Sequence, residues 1–155
     1  MVERKKVDFT EDDVILAMDI LNSVEDITDF FMFLKRERGV NFTYILMNSG
    51  IDNFKGFLHR EKRDTDVIIE LEKNRDVNLV ICQETDSEGA NIFAKRIIEK
   101  LMEENGSVGS FASILTIDSS DVENRNIIFA LVEDYLTLLK QPKEWRGGQM
   151  TFKTI

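Results

Sequence analysis

Thr65-Asp66-Val67-Ile68-Ile69-Glu70-Leu71-Glu72-Lys73-Asn74-Arg75-Asp76-Val77-Asn78-Leu79-Val80-Ile81-Cys82 reads in two ways. Val67 to Leu71 fits a strand that forms a hairpin with Leu79 to Cys82. Thr65 to Asn74 fits equally a short helix with Val67, Ile68 and Leu71 turned inward, because a short apolar run does not separate the two periods. The first reading adds two neighbouring strands to a sheet, and the second removes the hairpin altogether. On either side the signals are plainer.

Upstream, Phe42-Thr43-Tyr44-Ile45-Leu46-Met47 is β-branched and aromatic, and is bounded by Asn41 and by Asn48-Ser49-Gly50; it reads as a mostly buried strand. Thr10-Glu11-Asp12-Asp13 has the spacing of a capping box and opens a helix with Val14, Ala17, Met18 and Leu21 on one face. Ser23-Val24-Glu25-Asp26 repeats the pattern, so a second helix carrying Ile27, Phe30, Phe31 and Leu34 is expected, ended by Arg38-Gly39. Downstream, Thr85-Asp86-Ser87 leads into a helix with Phe93, Ile97, Ile98 and Leu101 on one side and Gly106 as terminator. Phe111 to Ile117 is apolar on both faces and reads as a central strand. Ser120-Asp121-Val122-Glu123 predicts the cap of a last helix bearing Ile127, Ile128, Leu131, Val132, Tyr135 and Leu138, which Pro142 ends. Gly147-Gly148 turns the chain into an edge strand from Met150 to Ile155. This order predicts an α+β sandwich, with helices over a mainly antiparallel sheet related to the split βαβ arrangement.

The chain has 155 residues, enough for one domain with its own core, so residues 1–155 are read as a single domain. Its net charge of −9, from 29 acidic and 20 basic residues, disfavours nucleic acid, whose binding needs phosphates neutralised by Lys and Arg. The basic cluster Arg60, Lys62, Arg63 is expected to be a solvated loop. No continuous apolar stretch has membrane-spanning length, and a cytoplasmic location without membrane insertion is expected. The single Cys82 lies in an apolar run and reads as a small buried hydrophobe. His59 is the only histidine, which excludes multi-histidine metal sites, and it reads as a surface or structural residue. Arg146 with Gly147-Gly148 reads as a turn, and Trp145 as packed at the core edge. Walker-type loops, G-x-S-x-G and paired cysteines are absent from the sequence.

Several segments in order resemble GGDEF domains, the diguanylate cyclase family. Asp19-Ile20-Leu21-Asn22-Ser23-Val24 followed by Phe30 resembles D-x-L-T-G-L…F, and Gly50-Ile51-Asp52-Asn53-Phe54-Lys55 is similar to D-I-D-x-F-K after the first strand. Thr85-Asp86 before a helix, Ser113-Ile114-Leu115 in place of S-I-G, and Glu133 with Lys140 continue the match. The resemblance covers residues 19–155 and implies a nucleotidyl cyclase-like fold with a ferredoxin-like core in a bacterial signalling protein.

The departures from the family remove its chemistry. Gly50 stands where the family's magnesium-binding aspartate would be, and Asp52 matches only the second aspartate. Leu58 falls at the guanine-reading asparagine. The G-H-x-x-G-D segment and its following helix have no room before the next strand, which implies a bare sheet face. The signature loop is replaced by Asn74-Arg75-Asp76-Val77-Asn78, with Arg75 where glycine lets the backbone approach a phosphate. A domain without catalysis and without a cofactor is therefore expected, acting as a signalling, scaffolding or assembly module through a protein partner or homodimer. Two rival readings come with the resemblance: a cyclic di-GMP receiver using an R-x-x-D motif at Arg63-Asp64-Thr65-Asp66, and a diverged nucleotidyl transferase using Asp52 and Asp76 as metal ligands.

Overall fold

The computed structural model describes residues 9–105, 110–140 and 149–155. Gly106, Pro142, Trp145, Arg146 and Gly147-Gly148 lie outside these residues. The elements run α1 (Glu11–Arg38), β1 (Phe42–Ser49), α2 (Phe54–Glu61), β2 (Val67–Glu70), β3 (Val77–Gln83), α3 (Ser87–Asn105), β4 (Ser110–Thr116), α4 (Asn124–Leu139) and β5 (Gln149–Thr154). The ambiguous stretch is a hairpin: β2 and β3 pair antiparallel, with Val67 opposite Ile81 and Glu70 opposite Asn78.

The fold is α+β, built on one five-stranded mixed sheet in the order β2-β3-β1-β4-β5. β1 is antiparallel to both β3 and β4, whereas β4 and β5 are parallel and joined through α4. α1 and α4 cover one face, burying Ile20, Val24 and Phe31 of α1 and Ile127, Leu131 and Tyr135 of α4 against Tyr44, Leu46, Ile81 and Leu115. α2 and α3 cover the other face, where Phe54, Phe57, Phe93 and Ile97 meet Ile45, Val80, Cys82 and Ile114. A three-layer stack has two cores, so the inner strands are apolar on both sides. β1 and β3 are buried almost end to end, and the short β2 and the edge strand β5 are less so.

The second face is therefore not bare. The sequence reading left no helix between β1 and the hairpin, yet Asn53 starts one there: its side chain accepts from the Gly56 amide at 3.2 Å. Asn53 takes a left-handed conformation (φ 54°) and folds its side chain over Gly56, where a Cβ would collide with it. Eight residues suffice to bring Phe54, Phe57 and Leu58 onto the sheet. The vacant face that pointed to a dimer or a heterologous complex is thus filled by the chain itself.

The N-terminal region is one helix of 28 residues, where two short ones were expected. Its start is as read: Thr10 and Asp13 form a reciprocal capping box at 2.9 and 3.2 Å. Its end is also as read, with Gly39 in the left-handed region at φ 67°. The second cap pattern does not act as a cap. Ser23 instead donates to Asp19 and accepts from the Glu72 amide, so tertiary contacts override the local start signal. The inward stripe is Ile20, Val24, Thr28, Phe31 and Lys35, while Val14, Met18 and Phe30, read as facing the core, are exposed. α4 begins at Asn124, later than its predicted cap, and Glu123 makes no side-chain capping bond. Among the described residues no helix is long and apolar enough to cross a membrane.

Candidate functional site

Antiparallel pairing of β1 with β3 puts the end of β1 beside the start of β3, so the Gly50–Lys55 loop and the hairpin turn share one end of the sheet. Asn48 lies opposite Val77, and the Ser49 amide donates to the Asp76 carbonyl at 3.3 Å. Asp52 and Asp76 are both here and both exposed. The central feature of this end is Asp19 of α1, which is only 3% exposed. Its carboxylate accepts from the Lys73 amide, from the Asn74 amide at 2.9 Å and from Asn74 Nδ2 at 2.7 Å. Successive backbone amides in a turn form a concavity that attracts anions. Here that concavity is occupied by the chain's own carboxylate.

Burial alone would raise the pKa of Asp19, but the bonds from Asn74, Lys73 and Ser23 more than reverse this and hold it below the usual value. Arg75 stays exposed at the turn and approaches Glu70 at 3.8 Å across the hairpin. Below the turn, burial drives the Tyr135 phenol far above its ordinary pKa, with the Asp76 charge adding to the effect. Among the described residues no three His, Cys, Asp or Glu side chains come together in a way that could hold a metal ion.

The opposite end holds Arg63 and Asp66, and the structure does bring them together. Asp66 is 2% exposed; it accepts from the Arg63 amide at 2.9 Å and from Arg63 Nη2 at 2.8 Å. The same guanidinium donates to Thr85 Oγ1 at 2.6 Å, and Thr85 donates to the Gln83 carbonyl. Cys82 is buried alongside, and burial, helped by the Asp66 charge, pushes its thiol up to about 12, so it is unreactive as a thiolate at neutral pH. Arg63 remains half exposed and lines a cleft of about 400 Å³ with Asn41, Glu84, Asp86, Thr116 and Asp118. Thr116 contributes a buried hydroxyl with no protein partner to that lining.

Of the basic residues read as a solvated loop, Lys62 and Arg63 lie in the loop after α2, whereas Arg60 does not. Arg60 belongs to α2, grips both oxygens of Glu104 at 2.9 Å and lies over the Phe57 ring, while Glu61 binds Lys100 at 2.8 Å. His59 is exposed on α2.

Sequence reasoning named Asp52, Asp76, Arg63 and Asp66 and left Asp19 without a role. The available signal was an acid set between Met18 and Ile20 in the helix. Its hairpin partners, more than fifty residues away, become visible only in the folded chain. No protein-family model and no curated protein matches this sequence.

Proposed function

We propose that this domain is a non-catalytic, GGDEF-like module that acts through protein–protein contacts. The observation that carries the proposal is Asp19 seated on the hairpin amides. A phosphate approaching this turn would meet a buried carboxylate in place of free N–H groups, and like charges repel. Gly50 offers no metal ligand from the adjacent loop, and exposed Asp52 and Asp76 have no third acidic partner among the described residues. Phosphoryl transfer depends almost entirely on positioning and on neutralising the transferring group.

The course β1-α2-β2-β3-α3-β4, with order β2-β3-β1-β4 and antiparallel neighbours, supports the cyclase-like part of the reading, since it is the split βαβ arrangement. Incubation with GTP and magnesium or manganese is expected to yield no cyclic di-GMP by chromatography. Product that disappears in Asp76→Ala would overturn the proposal in favour of the nucleotidyl transferase.

The receiver reading is favoured by one observation, the half-exposed Arg63 at the mouth of the cleft. Against it, the Asp66 carboxylate is buried and already bound by Arg63, so it is not free to accept from a guanine ring. Calorimetry with cyclic di-GMP distinguishes the two: heat of binding abolished in Arg63→Ala supports the receiver, and none in the parent supports the contact module.

A further inference from the structure

We infer that the outward face of α1 docks a basic amphipathic helix of a partner protein; the inference rests on the contact-module reading and names the chemistry of the partner. α1 is apolar on two sides. Its inner stripe faces the sheet, whereas Val14, Ile15, Met18, Phe30 and Phe33 are each about half exposed, at 52, 47, 49, 53 and 53%. With 3.6 residues per turn they form two apolar groups on the outer side, Val14, Ile15 and Met18 near the start and Phe30 and Phe33 about 18 Å further along, within an arc of about 160° whose margins also hold the buried Asp19 and Met32. A surface helix normally keeps that side polar, and exposed apolar clusters rimmed by charge mark interaction sites.

The rim decides the occupant. Glu11, Glu25, Asp26, Asp29 and Glu37 lie in the same arc, and from Glu11 to Leu34 the helix contains no Lys or Arg. Arg36 is the one cation in the arc, and its guanidinium is turned to the carbonyls of Ser120 and Val122 before α4. Asp29 accepts from Asn124, but among the described residues no cation pairs with Glu11, Glu25, Asp26 or Glu37. A second copy docked through this face would set carboxylates against carboxylates, which specific interfaces avoid. A helix with leucine-like residues on one side and Lys or Arg beside them would bury the apolar residues and pair with the rim. This is recognition by helix-face anchors at i, i+3 and i+4 spacing.

The test uses the full chain and three fluorescent helical peptides of about 18 residues, long enough for about five turns. One carries Leu on one face and Lys on the other; the second has Glu for Lys; the third has Ser for Leu. Anisotropy is expected to show binding of the Leu/Lys peptide alone. Met18→Ser with Phe33→Ser should weaken that binding about tenfold, as should Glu25→Lys with Asp26→Lys, while far-UV circular dichroism stays unchanged. Equal binding of the Ser/Lys peptide, or undiminished binding by both variants, overturns the inference as mere attraction to an acidic protein. Sedimentation equilibrium showing a dimer that Met18→Ser dissociates overturns it in favour of a second copy. Failure here leaves the absence of GTP turnover untouched, and GTP turnover would sink the earlier proposal without altering the peptide result.

Discussion

Each end of the sheet buries an aspartate that ties down backbone amides, but the two ties differ in reach. Asp19 crosses from α1 to the hairpin turn and joins residues 55 apart in sequence. Asp66 closes a local turn on the amide and guanidinium of Arg63, three residues before it. The first end is thereby sealed by an internal anion, while the second keeps a half-exposed guanidinium and a cleft of about 400 Å³. A carboxylate contributed by a distant element ties that element to the turn; one contributed locally leaves its surroundings open.

The sharpest way to break this comparison is to remove each aspartate. Asp19→Ala is expected to cost about 3 kcal/mol in urea unfolding, because buried amide donors lose a charged acceptor. Asp66→Ala should cost about 2 kcal/mol, since the Arg63 guanidinium it frees is half in water. A larger loss for Asp66→Ala would reverse the ranking of the two ends.

Acid titration sharpens the same contrast. The folded-state pKa of Asp19 is lowered, so its contribution is complete above the ordinary aspartate value of about 3.9 and is lost as pH falls through the folded value. The stability difference between the parent and Asp19→Asn should therefore be constant from about pH 7 to 5 and shrink below that range. A difference that grows on acidification would contradict the hydrogen-bond assignment.

Smaller effects are expected from the two non-glycine residues with positive φ, one at each end. Asn53 at φ 54° uses its side chain to cap α2, so Asn53→Ala should lose about 1 kcal/mol. Glu84 at φ 51° has only backbone strain to relieve, so Glu84→Gly should gain about 0.5 kcal/mol in thermal unfolding. A gain in Asn53→Ala would show that the cap is not what stabilises the hairpin end, and a loss in Glu84→Gly that the other end holds no backbone strain to relieve.

Much of the architecture was legible in local pattern. The capping box at Thr10, the glycine stop at Gly39, the buried run of β1, the face of α3 and the edge position of β5 all follow from periodicity and end signals. These depend on residues within a turn or two of one another. The same logic failed where a long-range contact competed with a local one. Ser23 carries a cap signal, but the hairpin backbone and Asp19 take up its hydroxyl, and the helix runs on. Val14 and Met18 have helical spacing as Ile20 and Val24 do, yet which stripe faces the sheet depends on where the sheet lies.

By itself, the sequence determined the α+β class, the acidic balance and the buried setting of Cys82. Tertiary structure alone decided that residues 67–83 form a hairpin, that α2 fills the second face, and that Asp19 occupies the turn. A short apolar run does not by itself separate strand from helix, and only pairing of β2 with β3, which satisfies the backbone of Val67 to Glu70, separates the two.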